Sequence, residues 1–264
     1  MVTRTGQFTK WSATAVAVVC ALCSTSLAQA ASINYGSFGP VAPGISFLNV
    51  IESSGTDGVP LYDVPTPFAT GLDFNPTNFV SASAAGSADI TDGQLNFTIH
   101  GLDGNGNDVA ISSINLSEGG LFNLVGVGTA ATQIAVGAIM NLKVTEIDGI
   151  AVAPITMIGN ASLAKNLVAD PGLVQPWNLN VLIDVDAQLT TLGVPFVIGA
   201  TRAEVVINNS LVSISEPVTN ASVLKSDFVI SIVPTPEVVP EPSTLALAGL
   251  AMCGLGLVRG RKQA

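Results

Sequence analysis

The sequence predicts an all-β fold, an antiparallel two-sheet sandwich of jelly-roll or immunoglobulin-like type that forms a single domain over residues 31–232. Three observations favour this fold. Apolar residues recur with period two, as they do on half-buried strands. Helical patterns are scarce, and the one short candidate, residues 162–169, stops at Asp170-Pro171-Gly172. Turn signals of the Asp-Gly type separate the apolar runs, at Asp57, Asp92, Asp103 and Asp148.

The strand predictions follow this alternation along the chain. Leu95 to His100 places Leu, Phe and Ile on one face, and Leu179 to Asp186 alternates apolar with mostly polar residues. Residues 202–208 and 211–215 flank Asn208-Asn209-Ser210, which is a candidate hairpin turn. Further strands are predicted at residues 45–51, 79–84, 111–116, 122–127, 134–146, 153–158 and 228–232.

The N-terminal residues 1–30 are typical of a secretory signal peptide. Arg4 and Lys10 precede an apolar stretch from Ala13 to Leu22, and small residues follow up to Ala28-Gln29-Ala30. We therefore expect signal peptidase to cut after Ala30. A retained membrane anchor is the alternative interpretation.

All three cysteines, Cys20, Cys23 and Cys253, lie outside residues 31–240. The body is thus expected to lack disulfides, thiolate metal sites and a cysteine nucleophile. A body of this size can bury a stable core without such cross-links. A lipoprotein anchored at Cys20 or Cys23 is disfavoured, because each of the two cysteines follows a large residue.

The body is strongly acidic. Between residues 31 and 240 there are four Lys and Arg residues against eighteen Asp and Glu residues, an excess of fourteen negative charges. Such a surface repels phosphate backbones and anionic lipid, so we expect no nucleic-acid partner.

The C-terminal residues 239–264 combine three parts. The first, Val239-Pro240-Glu241-Pro242-Ser243-Thr244, must be extended, because each proline fixes φ and lacks an amide donor. The second is an uncharged stretch that predicts a short transmembrane helix over residues 243–258, although a full span needs about 20 apolar residues. A basic tail over residues 259–264 follows, with Arg259, Arg261 and Lys262 as a membrane stop. A buried helix at the end of the chain is the alternative.

These three parts resemble the PEP-CTERM sorting signal of exported bacterial proteins. The resemblance implies processing by an exosortase-type transpeptidase of the inner membrane. Residues 233–242, with four prolines, are predicted to form a stiff linker that includes the sorting motif. Together with the signal peptide, the resemblance implies that the protein is exported across the inner membrane and transiently anchored in that membrane. It would then be delivered to the cell surface or extracellular matrix.

The best candidate for a cation site lies between residues 103 and 108. Asp103, Asn105, Asn107 and Asp108 place side-chain oxygens on a Gly-rich loop, which is the arrangement that Ca²⁺ favours. The loop departs from the EF-hand pattern, and an ordinary polar turn uses the same residue types. We expect no bound metal, with calcium at this loop as the alternative.

Three other positions carry residue types that act in catalysis or sugar binding. Asp184 and Asp186 would share one strand face, at a separation of roughly 7 Å that overlaps the spacing of paired-carboxylate hydrolases. His100 is the single histidine and would have to serve any Ser-His-Asp triad. Trp177, in a loop-like stretch, could stack on a sugar. A solvated strand face, a surface histidine and a core or edge anchor are the favoured interpretations of these positions.

The sequence therefore favours a non-enzymatic exported protein without a cofactor, in a structural or adhesive role, with extracellular polysaccharide as a candidate partner. The alternative is a carbohydrate- or calcium-binding β-sandwich module. A hydrolase that uses Asp184 and Asp186 is a third hypothesis.

Overall fold

The structure, a computed structural model, describes residues 31–41 and 44–235, about 70% of which lie in strands. A single short helix, α1 (Val185–Thr191), accompanies the strands in these ranges. The strands in chain order are β1 (Ala31–Val41), β2 (Ile45–Ser54), β3 (Thr66–Phe68), β4 (Gly71–Phe74), β5 (Val80–Ala84), β6 (Ala88–Gly101), β7 (Ala110–Gly126), β8 (Gln133–Ile147), β9 (Ile150–Asn166), β10 (Gly172–Asp184), β11 (Ala200–Ile214) and β12 (Thr219–Thr235).

The strands form two antiparallel sheets. The first sheet has the order β1-β2-β6-β11-β8-β9, and the second has the order β10-β7-β12-β4-β3 with β5 also paired to β12. Most neighbours are distant in sequence, so the hydrogen-bond ladders join separate parts of the chain. The two antiparallel sheets confirm the predicted all-β sandwich, and the choice between jelly-roll and immunoglobulin-like topology stays a prediction.

One hydrophobic core lies between the two sheets. On β6, Leu95, Phe97 and Ile99 are buried while the residues between them are half-exposed. On β12, Phe228 and Ile230 alternate in the same way and belong to the same core. This period-two burial confirms the alternation that the sequence predicts, because successive side chains of a strand point to opposite faces.

The predicted hairpin turn at Asn208-Asn209-Ser210 is wrong. These residues lie in the middle of β11, paired with β6 on one side and β8 on the other. Asn209 points inward with 3% of its surface exposed, and its amide is hydrogen-bonded to Tyr62 and Glu118. The sequence alone does not distinguish a buried asparagine that has hydrogen-bond partners in the core from an asparagine in a turn.

Two strands predicted at residues 111–116 and 122–127 are a single strand, β7. The Gly119-Gly120 pair between them does not turn the chain. An added Cβ on Gly120 would lie 1.9 Å from the carbonyl oxygen of Leu224 on β12, so glycine permits the close approach of these two strands.

The short helix predicted at residues 162–169 is also wrong. β9 continues to Asn166, and its residues 162–166 pair with residues 133–137 of β8. Tertiary pairing with a long neighbouring strand outweighs the weak local preference for helix. A turn follows at residues 167–169, before Asp170-Pro171-Gly172.

Of the predicted turns, Asp148-Gly149 joins β8 and β9, and both residues have positive φ, as in a tight hairpin. The turn at Asp103 is likewise present, and Asp57 lies in a bend after β2. Asp92-Gly93, by contrast, lies inside β6. Glycine is needed at position 93 because an added Cβ would come within 3.0 Å of the rings of Phe79 and Tyr62.

The predicted signal peptide, the sorting motif, the transmembrane helix over residues 243–258 and the basic tail lie outside the described residues. Within the described ranges, none of the helices is both long and apolar enough to span a membrane. β12 runs to Thr235, three residues beyond the predicted domain end at residue 232.

Candidate functional site

The loop predicted as a calcium candidate is organised by its own hydrogen bonds. Asp103 Oδ1 accepts from the backbone amides of Asn105 and Asn107 at 2.8 Å, and Oδ2 accepts from the side-chain amide of Asn107 at 3.0 Å. These donors, those of Asn107 first, lower the pKa of Asp103. The Asp108 carboxylate lies against Gly149 in the β8–β9 turn. Among residues 31–41 and 44–235, no cluster of three His, Cys, Asp or Glu side chains could hold a metal ion.

Asp184 and Asp186 do not share a strand face, which corrects the predicted carboxylate pair. Asp184 is the N-cap of α1 and accepts a hydrogen bond from the Ala187 amide at 2.9 Å. Asp186 lies in the first helical turn, beside Gly199. Burial raises the pKa of Asp186, and the charge of Asp184 adds to the rise. The chain turns here because an aspartate oxygen satisfies a free amide at the start of a helix.

His100 and Trp177 take structural positions. His100 lies on the outward face of β6, opposite Ser46 and Arg202 in the neighbouring strands. Trp177 lies in β10, not in a loop, and is 5% exposed. Its Nε1 donates to the Leu224 carbonyl oxygen at 3.1 Å. Trp177 is therefore a core anchor, as the favoured interpretation has it, and its ring has no open face for a sugar.

A trough of about 590 Å³ crosses the outward face of the first sheet. Strand register places one row of its side chains straight across five strands, β2-β6-β11-β8-β9. This row contains four polar residues and one apolar residue, Ser53, Gln94, Asn208, Ile139 and Asn160. At about 4.8 Å per strand, the row is roughly 19 Å long.

A second row lies beside the first and completes the trough. It consists of Asp92, Ser210, Gly137 and Ser162 on β6, β11, β8 and β9. The absence of a side chain at Gly137 deepens the trough, because an added Cβ would lie 3.2 Å from the Ser210 hydroxyl. Asp92 Oδ1 is buried and has no hydrogen-bond partner within the described part of the chain.

Gln94 holds one other amide of the trough, that of Asn208, and is itself held by Asn96 beside the trough. Gln94 Nε2 donates to Asn208 Oδ1 at 2.7 Å, and Asn96 Nδ2 donates to Gln94 Oε1 at 3.2 Å. Fixed amides and small hydroxyls offer both donors and acceptors to a ligand rich in hydroxyl groups. The trough can therefore bind a neutral polar chain by hydrogen bonds.

A second group of polar residues lies inside the sandwich. The buried polar cluster consists of Tyr62, Glu118, Asn209 and Lys225, from the β2–β3 connection, β7, β11 and β12. Lys225 Nζ donates to Glu118 Oε2 at 2.7 Å, and both side chains are 0% exposed. Asn209 Nδ2 donates to the other oxygen of the same carboxylate, and the Tyr62 hydroxyl donates to Asn209 Oδ1 at 2.8 Å.

Aromatic rings enclose the lysine of this cluster. Lys225 Nζ lies 4.7 Å from the centre of the Phe79 ring, 5.0 Å from that of Phe228 and 5.8 Å from that of Tyr62. Burial lowers the pKa of Lys225, and the attraction of Glu118 opposes that effect. Burial also raises the pKa of the Tyr62 hydroxyl, with Glu118 adding to the rise. An environment of this kind favours the neutral amine and keeps the phenol protonated.

Sequence reasoning found neither the trough nor the buried polar cluster. The trough joins five strands from distant parts of the chain, so no local motif marks it. The cluster had two local signals, charged residues at positions where strand alternation requires an inward side chain, namely Glu118 on β7 and Lys225 on β12.

Comparisons with solved structures give only remote likenesses. The structure of TmCBM61 in complex with β-1,4-galactotriose is 9% identical, with 75% of this chain and 87% of that chain covered and a TM-score of 0.19. The VP2 subviral particle of infectious bursal disease virus is 12% identical, with 85% and 67% covered and a TM-score of 0.11. Likenesses this weak carry no argument about fold or function. No curated protein matches the chain.

The comparison with protein families is specific for one segment. Residues 238–262 match the family model of the PEP-CTERM protein-sorting motif. Such a motif implies processing by exosortase, a transpeptidase, and suggests an exported protein associated with the cell surface. The chain carries this sorting motif at its C-terminal end, consistent with a PEP-CTERM protein.

Proposed function

We propose that this protein is exported across the inner membrane, sorted by exosortase, and serves a structural or adhesive role at the cell surface or in the extracellular matrix. The proposal is of a non-enzymatic protein. Its route includes a signal peptide over residues 1–30, a transient membrane helix over residues 243–258, and removal of both segments.

The single observation that carries the proposal is the sorting motif at residues 238–262, placed after the last strand of the sandwich. β12 ends at Thr235, so only a few residues separate the folded domain from the motif. A domain with two sheets and one continuous core is suited to a structural role, because such a core disfavours local unfolding.

Mass spectrometry of the protein isolated from the surface of its own cells tests this proposal. We expect mature chains that begin near Ala31 and lack the C-terminal peptide Lys262-Gln263-Ala264. Cells without a functional exosortase are the control and should retain that peptide. An intact tail on the mature surface protein would contradict the proposal.

A second candidate function, carbohydrate binding, is favoured by the trough. The amide and hydroxyl side chains in its two rows complement sugar hydroxyls, and its length admits several sugar rings. The acidic body favours neutral polysaccharide over anionic polysaccharide, because like charges repel. Polysaccharide would then be the partner to which the protein adheres.

Affinity electrophoresis in gels containing polysaccharide from the cell's own matrix tests the second candidate. Asn208→Ala with Asn160→Ala removes two polar groups from the trough, and we expect binding to weaken roughly thirtyfold, as for two hydrogen bonds of about 1 kcal/mol each. The matched control is Asn178→Ala with Asn180→Ala, on the exposed face of β10.

Equal retardation of both double variants would exclude the trough as the binding site. The same gels run with calcium and with EDTA test the calcium alternative at the Asp103 loop. A dependence of binding on calcium would point to that loop and away from the trough.

A further inference from the structure

We propose that Lys225 and Asn209 form an intramolecular amide bond inside the sandwich, with Glu118 as the catalytic acid–base and ammonia as the leaving group. This inference rests on the buried polar cluster alone and does not depend on the proposed surface role. The bond would join β12 of the second sheet to β11 of the first.

The placement of the three side chains fits this reaction. One carboxylate holds both reacting groups, because Glu118 Oε2 accepts from Lys225 Nζ at 2.7 Å and Oε1 accepts from Asn209 Nδ2. The nucleophile and the leaving group are therefore each hydrogen-bonded to the group that must move a proton between them. Such a fixed arrangement replaces a slow encounter by a step within one molecule.

The Tyr62 hydroxyl occupies the position that activates the electrophile. It donates to Asn209 Oδ1 at 2.8 Å, so it withdraws electron density from Cγ and can stabilise negative charge on that oxygen during attack. In a purely structural ion pair, Asn209 would serve only as a donor to the second oxygen of the Glu118 carboxylate. Here its own carbonyl oxygen is also held by the buried Tyr62 hydroxyl, as activation of the amide requires.

The surroundings favour the nucleophilic form of the lysine. Nζ is enclosed by the Phe79, Phe228 and Tyr62 rings, and its side chain is 0% exposed. Burial lowers the pKa of Lys225, which favours the neutral amine that can attack. The absence of open solvent around the cluster also protects the product from hydrolysis.

The reaction balances without any further reactant. The lone pair of the neutral Lys225 Nζ attacks Asn209 Cγ and forms the new C–N bond. Glu118 accepts a proton from Nζ and delivers it to Nδ2. The bond between Cγ and Nδ2 then breaks, and ammonia leaves. The product is a secondary amide between the two side chains, with no net oxidation or reduction.

Such a bond would have a clear physical role in this chain. Residues 31–235 contain no cysteine, so no disulfide can join the two sheets in this part of the chain. A covalent link between sheets restricts the unfolded chain as a disulfide does.

Peptide mapping of the purified wild-type protein tests the inference. Chymotrypsin cuts after Leu211, between the two residues, and after Leu224. We expect the fragments 197–211 and 225–228 to remain joined after denaturation, at their summed mass less one ammonia, about 17 Da. Trypsin should fail to cut after Lys225. Separate fragments of full mass would overturn the inference.

Two further results distinguish the cross-link from other losses of ammonia and test the role of Glu118. Loss of ammonia from Asn209 alone, through a cyclic imide, would lower the mass of the fragment 197–211 but leave the fragments separate, and would also overturn the inference. In Glu118→Gln the fragments should separate, whereas the neighbouring variant Asn208→Ala should keep the link. A link that persists in Glu118→Gln would remove the catalytic role of Glu118. If that variant does not fold, the wild-type map alone decides.

Discussion

Replacement of Glu118 by alanine is expected to lower the free energy of unfolding by about 3–5 kcal/mol, because removal of one partner leaves a buried charge uncompensated. Lys225 and Glu118 are both 0% exposed, so neither side chain is in contact with bulk solvent. Asn209 Nδ2 also loses its acceptor. Loss of the proposed amide bond would act in the same direction. Urea unfolding, followed by circular dichroism, measures the change.

The matched control is Glu204→Ala. Glu204 pairs with Lys143 at 2.9 Å, but these side chains are 51% and 45% exposed. Exposed pairs of this kind contribute up to about 1 kcal/mol. A loss from Glu118→Ala no larger than the loss from the control would contradict the importance of the buried pair.

The pH dependence of Glu118→Ala provides an internal check. Burial lowers the pKa of Lys225 and Glu118 opposes that effect, so in folded Glu118→Ala this pKa falls further than in the wild type. Between the folded and the unfolded pKa, the unfolded chain binds more protons, so stability rises with pH. The deficit of the variant should therefore shrink as the pH rises toward the unfolded lysine value of about 10.4.

Replacement of Gly120 by alanine is expected to destabilise the protein by about 3 kcal/mol or more, at the upper end of the range for overpacked sites. The added Cβ would lie 1.9 Å from the Leu224 carbonyl oxygen and 2.9 Å from Trp177 Nε1. The first contact is with backbone, which can yield only if β7 and β12 separate. The hydrogen bond from Trp177 to Leu224 would be lost with that separation.

Tryptophan fluorescence reports this change directly. The chain has two tryptophans, Trp11 and Trp177, so a chain without residues 1–30 reports on Trp177 alone. In Gly120→Ala we expect its emission to shift to the red, together with a lower urea midpoint. Gly104→Ala is the control, because an added Cβ there meets no atom within 4 Å. Unchanged emission and midpoint in Gly120→Ala would show that the strands can accommodate the methyl group.

Much of the sheet structure could be predicted because alternation is a local property. The period-two pattern at residues 95–100 and 179–183 predicted strands whose inward faces the structure confirms. The strand predictions were wrong where a polar or small residue lies inside the sandwich. Asn209 and Gly120 resemble turn residues in sequence, yet one satisfies a buried carboxylate and the other admits a neighbouring strand.

The Asp184–Asp186 error has a different cause. The strand pattern continues to Val185 by residue type, but a capping aspartate starts a helix at that point. The local signal was present in the sequence, since Asp184 precedes the helix-forming residues Ala187, Gln188 and Leu189. It competed with a longer alternating pattern.

The sequence by itself determined the sorting motif, the acidic, cysteine-free body and the all-β class, because each depends on composition or on residues adjacent in the chain. Only the tertiary structure decided which distant residues meet. Strand order brings Ser53 and Asn160 to opposite ends of one row, and sheet packing places Asn209 beside Glu118 and Lys225. Those contacts arise from pairings across tens of residues, which a local pattern does not encode.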